Sequence, residues 1–144
     1  MQLIDSHTHL DFPDFDADRV QLLARSRAMG VERMVVLGVY QSNWQRLWDL
    51  VQTDSQLYAA FGLHPVYVDQ HRPEHVSELG EWLNRLAGHP QLCAVGEIGL
   101  DFFLPELDRD AQQQLFEAQL KLASDFQLPA LLHVRPVSYT HLRA

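Results

Sequence analysis

Short apolar runs alternate with longer amphipathic stretches along the chain, and this alternation constrains the fold more than any other feature. Leu3 to His9 predicts a first strand. Asp18 to Ala28 carries Val20, Leu22, Leu23 and Ala24 among charged residues and predicts a helix, ended by Gly30. Met34 to Val39 is short, β-branched and fully apolar, as a buried parallel strand should be. Ser42 is placed to cap a second helix bearing Trp44, Leu47, Trp48 and Val51. Leu57 to Gly62 reads as a third strand. Pro73 to Ala87 has Val76, Leu79, Leu83 and Leu86 at helical spacing. Leu92 to Gly96 reads as a fourth strand. A long helix is expected over Asp108 to Phe126, with Leu115, Ala118, Leu122 and Phe126 on its apolar stripe. Pro129 then opens a fifth strand, Ala130 to Val134.

This order implies an α/β fold with a parallel sheet under covering helices. One unit recurs without a glycine-rich phosphate fingerprint, which favours a TIM-type (β/α)8 barrel over a doubly wound sheet. The 144 residues suit one domain, and no repeat, linker or low-complexity segment interrupts them. A hydrophobic content of 47% argues against disorder. No apolar run approaches the roughly 20 residues needed to span a bilayer, and no membrane partner is expected. The opening Met1-Gln2-Leu3-Ile4-Asp5 has no basic or long apolar region, so no signal peptide is expected. Cys93 is the only cysteine, which excludes an internal disulfide and suits a reducing cytoplasm. The net charge of -8 lacks the basic character usual in nucleic-acid binders. A site holding divalent cations also needs carboxylates, and bound ions reverse the local sign, so charge leaves the substrate open.

The residues that carry chemistry sit at strand ends. Side chains alternate along a strand, so Asp5, His7 and His9 share one face of the first. In a barrel that face points inward, with His9 toward the carboxyl end where barrel active sites lie. Two imidazoles at i and i+2 can reach one cation from a rigid strand, and burying them without such a purpose is costly. Glu97 directly follows the fourth apolar run and is either a carboxylate bridging two cations or a solvated loop residue. Flanking Gly96 and Gly99 suggest close backbone packing there. Asp101 either orients a ligand or holds a loop. His133 follows the fifth apolar run, and His, Glu and His at three strand ends point jointly to a site. His64 ends the third strand on the same rim, as a substrate contact or a support behind the ligands. His71, His75 and His89 fall among polar helix ends and loops and receive no role.

The set Ile4-Asp5-Ser6-His7-Thr8-His9-Leu10, Gly62-Leu63-His64-Pro65, Gly96-Glu97-Ile98-Gly99-Leu100-Asp101 and Leu132-His133 resembles the TatD family of metal-dependent deoxyribonucleases. Gln112 and Phe116 in the intervening helix fit the same pattern. The opening motif is shared by the wider amidohydrolase superfamily, whereas the motif around Glu97 is more specific. The resemblance implies that His7 and His9 hold one divalent metal ion, Glu97 bridges two, and His133 binds the second, the ions being Mg, Mn or Zn. It implies DNA as substrate and hydrolysis of a phosphodiester by a metal-activated water, with Glu97 as catalytic residue. A later histidine and a final aspartate of the family's site have no matching position.

The likeness covers residues 1 to about 135. Residues 136–144 read instead as a non-native tail resembling a translated sequencing-library adapter, which leaves His141 without a role. The expectation is therefore a barrel truncated after about strand five and inactive as it stands. Two other functions fit parts of the pattern. A small-molecule amidohydrolase would often carry a modified lysine where Glu97 stands. A truncated, non-catalytic binding form would need a protected sheet edge.

Overall fold

The structure is a computed structural model that describes residues 2–136; the tail expected over 136–144 lies, but for Pro136, outside the described residues. Five strands alternate with four α-helices: β1 (Leu3–Thr8), α1 (Arg19–Ala28), β2 (Val31–Leu37), α2 (Trp44–Gln52), β3 (Leu57–Phe61), α3 (Glu74–Arg85), β4 (Leu92–Asp101), α4 (Arg109–Asp125) and β5 (Ala130–Arg135). All neighbouring strands pair in parallel, in the order β1-β2-β3-β4-β5. Spatial order follows chain order, so among the described strands there is no reversal of the kind that defines a doubly wound sheet. The result is a half-barrel of the TIM type, with all strand carboxyl ends on one rim.

Two cores hold it. The larger lies between sheet and helices, where Val36, Ala59, Phe61, Val95 and Ile98 meet Trp44, Leu47, Val51, Leu79, Leu83 and Phe116. The smaller lies on the opposite, inner face, where Leu37, Ala60 and Ala94 form a layer flanked by Val35, Cys93 and Leu131. The outer edges of β1 and β5 have no strand partner among the described residues. Ile4, Leu132 and Val134 are correspondingly exposed there. No helix among the described residues is long and apolar enough to cross a membrane.

Three local expectations are corrected. Ser42 does not cap α2: it lies inside a 3-10 turn, Gln41–Asn43, and the Asn43 side chain instead accepts from the Val39 and Tyr40 N–H groups. The apolar run before Glu97 does not end the fourth strand, because pairing with β5 continues to Asp101. Glu97 is thus a strand residue, 3% exposed, and the solvated-loop alternative falls. On α4 the fully buried stripe is Gln112, Phe116, Gln119 and Ala123. The expected residues Leu115, Leu122 and Phe126 flank the core half-buried. Two glutamines displace them because the neighbouring strand ends present backbone groups that need partners.

Candidate metal centre

Glu97 is placed by backbone geometry. The β4–β5 register shifts between Val95 and Ile98, and the Glu97 N–H donates to Gly38 O at 2.9 Å. Both glycines beside it are required by close approach. A Cβ on Gly96 would lie 2.8 Å from Leu131 Cβ, and one on Gly99, where φ is 143°, would overlap the His133 carbonyl oxygen. The β1–β2 register also shifts between Asp5 and Thr8, where the first histidine sits. Such irregularities re-aim side chains beside functional sites.

Four histidines converge on the one carboxylate. His7 Nε2 and His9 Nε2 lie 3.0 and 3.2 Å from Glu97 Oε2. His133 Nδ1 and His64 Nε2 lie 3.0 and 3.4 Å from Glu97 Oε1. Burial would raise the Glu97 pKa, but His133, His64 and His9, when their rings carry protons on the nitrogens facing it, outweigh burial and hold the carboxyl far below its usual range. The same contact with Glu97 is the main reason that His9 and His133 are raised, against the opposing effect of burial.

Hydrogen bonds behind the rings sort them by role. His9 Nδ1 lies 3.1 Å from the Leu37 carbonyl, which accepts only from N–H and so leaves a lone pair on the neutral ring's Nε2. His133 Nε2 lies 2.8 Å from Asp101 Oδ2, which fixes that proton and leaves the Nδ1 lone pair facing Glu97. Both are the carboxylate- or carbonyl-braced histidines typical of metal sites. His64 is the reverse: its Nδ1 accepts from Val66 N–H at 3.1 Å, so the neutral ring carries its proton on Nε2. His64 is thereby a donor toward Glu97 and not a lone-pair ligand.

The residues fit a cation on one further observation. Glu97 Oε2 is buried and has no aligned hydrogen-bond donor, although two imidazole nitrogens stand within 3.2 Å of it. Lone pairs that face one another at this distance are satisfied by a proton or a metal ion. The nearest side-chain nitrogens and carboxylate oxygens of His7, His9 and Glu97 lie within 4.8 Å of one another, and so do those of His64, Glu97 and His133.

The other expected residues stand behind the site. Asp101 is 0% exposed and contacts both His133 and the loop that follows it. Its Oδ2 holds His133 and Arg135 Nε, the latter at 3.0 Å, and its Oδ1 accepts from Phe103 N–H at 3.1 Å. Burial opposes ionisation of Asp101, but the hydrogen bond from His133 prevails and its pKa is lowered. Asp5 is not brought to the cluster; its carboxylate accepts from His7 N–H at 3.0 Å and fixes the chain there.

Several supporting residues receive no role from the sequence. Gln112 brackets the Asp101 backbone, accepting from its N–H at 2.7 Å and donating to its carbonyl at 2.9 Å. Gln119 brackets Leu63, beside His64, at 2.7 and 3.1 Å. Their seven-residue spacing on one helix face was the available signal. Asp11, 1% exposed, accepts from Asn43 at 2.7 Å, and burial pushes its pKa up. His71 supports His64 through its carbonyl at 2.9 Å, and burial lowers the His71 pKa. His75 and His89 accept from nearby backbone N–H groups and stay outside the site.

Known proteins resemble this chain in sequence and fold. Residues 4–143 match the family model described as TatD related DNase. An uncharacterized metal-dependent hydrolase, YjjV, of Escherichia coli K12 is 38% identical over 134 residues, covering 93% of this chain and 51% of the relative. A 3'-5' ssDNA/RNA exonuclease TatD of Erwinia tasmaniensis is 34% identical over 134 residues, covering 92% and 50%. The crystal structure of the E. coli YjjV protein superposes with a TM-score of 0.87 over 93% of this chain and 51% of that one. A TatD family hydrolase of Entamoeba histolytica, 19% identical, shares the fold with a TM-score of 0.84, over 99% and 52%. The chain spans about half the length of the curated relatives it matches.

Proposed function

The chain belongs to the TatD related DNase family, and from that premise we propose that it carries the metal-holding residues of a deoxyribonuclease, a hydrolase of DNA phosphodiester bonds. One observation carries the reading: a single buried carboxylate turns one oxygen to His7 and His9 and the other to His133. Glu97 would bridge two divalent cations, Mg, Mn or Zn, with His7 and His9 holding one and His133 the other. Bound there, such ions acidify water and neutralise charge on a phosphodiester.

The chain's own residues prepare that chemistry. Leu37 O and Asp101 hold His9 and His133 in the tautomers that present lone pairs to the centre. His64 presents an N–H over the same carboxylate, suited to a phosphate oxygen of the substrate. Asp5 fixes the strand beneath His7. The exonuclease name of the Erwinia relative supports a nucleic-acid substrate. The single cysteine, whose thiol burial pushes up to about 11, suits a cytoplasmic setting.

In an enzyme with the full barrel restored around these residues, chelation is expected to abolish hydrolysis of DNA, and Mg²⁺ or Mn²⁺ to restore it. Glu97→Ala should lower turnover far more than DNA affinity, because the bridging group matters most in the transition state. Full activity in excess chelator would refute the reading.

A further inference from the structure

Four loops leave the carboxyl ends of β1 to β4, and each carries an aromatic ring: Phe12, Tyr40, Tyr67 and Phe103 in turn. Three of these rings form a continuous arc anchored at both ends on histidines of the site. Phe12 lies 5.4 Å from the His9 ring and 6.5 Å from Tyr40. Tyr40 lies 5.3 Å from Tyr67, and Tyr67 lies 6.0 Å from His64. These are centroid separations at which aromatic rings interact. Across the site Phe103 is 62% exposed, with the Arg135 guanidinium 4.6 Å from its ring centre. Arg135 is bonded to Asp101, which holds His133, so this pair also adjoins the centre.

The hydrophobic core does not use these rings. Phe15 and Phe102, close by in sequence, pack against it, whereas Phe12, Tyr40, Tyr67 and Phe103 do not. Phe12, Tyr40 and Tyr67 are half-buried, each keeping part of its surface open to solvent. Four successive loops therefore spend an aromatic side chain on the rim and not on stability. Tyr40 and Tyr67 meet edge to face, as do Tyr67 and His64, and the chemistry that matches such an arc of part-exposed aromatic rings beside the proposed phosphodiesterase centre is a run of nucleobases. A net charge of -8 gives the chain little general attraction for a nucleic-acid backbone, and base stacking does not depend on it. Stacking requires bases that are free to leave their neighbours, which agrees with the single-stranded substrate in the Erwinia relative's name; a duplex would first have to unstack at a cost of a few kcal/mol.

We propose that Phe12, Tyr40 and Tyr67 form a stacking platform for the bases of a single-stranded nucleic acid whose phosphodiester is presented at Glu97, with Phe103 and Arg135 receiving the strand on the opposite side. The proposal rests on the phosphodiesterase reading above and adds to it the residues that select the strand. The platform sets binding and register, so its loss appears in KM before it appears in kcat.

The test compares a short, hydrolysis-resistant phosphorothioate strand of thymidines with the same strand made abasic, both fluorescently labelled, in Mg²⁺. The unmodified protein should bind the base-bearing strand about tenfold or more tightly than the abasic one, the scale of base–aromatic stacking. Phe12→Ala, Tyr40→Ala and Tyr67→Ala should each shrink that ratio, with no additional loss on the abasic strand. Tyr40→Phe and Tyr67→Phe should restore it, because the ring and not the hydroxyl stacks. Equal binding of the two strands by the unmodified protein, or an undiminished ratio in all three alanine variants, overturns the platform. Base-dependent binding without chelator-sensitive cleavage of an ordinary strand, when the full barrel is restored around these residues, would keep the platform and overturn the hydrolase reading instead.

Discussion

Replacing Gln112 with Leu tests how far the centre depends on a residue that touches none of the candidate ligands. Gln112 is 0% exposed and satisfies both the N–H and the carbonyl of Asp101. Leu keeps nearly the same volume, so packing changes little. What changes is that two buried backbone groups lose their partners, each at about 1–3 kcal/mol, or about 2–6 kcal/mol together. Against a whole-domain stability of about 5–15 kcal/mol this is a large share. With an m-value of about 2 kcal/mol/M the urea midpoint should fall by about 1–3 M. Unfolding should be followed at concentrations low enough to keep the chain monomeric, with m checked for constancy. Gln113→Leu is the control, since Gln113 is exposed and bonds only Glu117 through its side chain; its effect should stay within about 0.5 kcal/mol. A Gln112→Leu midpoint no lower than that of Gln113→Leu would refute the reasoning.

Asp101→Ala should weaken divalent-metal affinity about 10- to 100-fold, because His133 loses the partner that fixes its proton; calorimetric titration reads this directly. Stability of the metal-free protein should depend on pH through His9 and His133. Both folded pKa values are raised above 6.5 chiefly by Glu97, so their contribution is full below about pH 6 and lost as pH rises through the folded values. Thermal melts in chelator should therefore show a lower Tm at about pH 8 than at about pH 6, a difference absent in Glu97→Gln. The edges of β1 and β5, which have no strand partner among the described residues and leave Ile4, Leu132 and Val134 exposed, should make the protein self-associate, and Val134→Lys should reduce this in sedimentation velocity.

The parts of the fold that were legible in sequence are those where periodicity and burial agree. The β-branched run Met34 to Val39 and the spacing of Leu79 and Leu83 located β2 and α3 because each buries a uniform apolar face. The stripe of α4 was misplaced because its buried positions include Gln112 and Gln119, whose partners are backbone groups distant in sequence. Glu97 was placed beyond its strand for a similar reason: a carboxylate ends an apolar run, and only its four histidine neighbours make burial there tolerable. The residue types and order at the centre were readable, since histidines at i and i+2 and at successive strand ends reach one rim. The division of labour among them was not. That His64 donates while His133 presents a lone pair depends on Val66 N–H and Asp101, contacts that no spacing encodes.

Anomalous diffraction from crystals of the protein soaked in Mn²⁺ tests the central claim most directly, because it locates the ions and counts them. Two peaks are expected at the Glu97 carboxylate, one on the side of His7 and His9 and one on the side of His133, with both lost in Glu97→Ala. No peak in contact with Glu97, or undiminished peaks in Glu97→Ala, would contradict the claim.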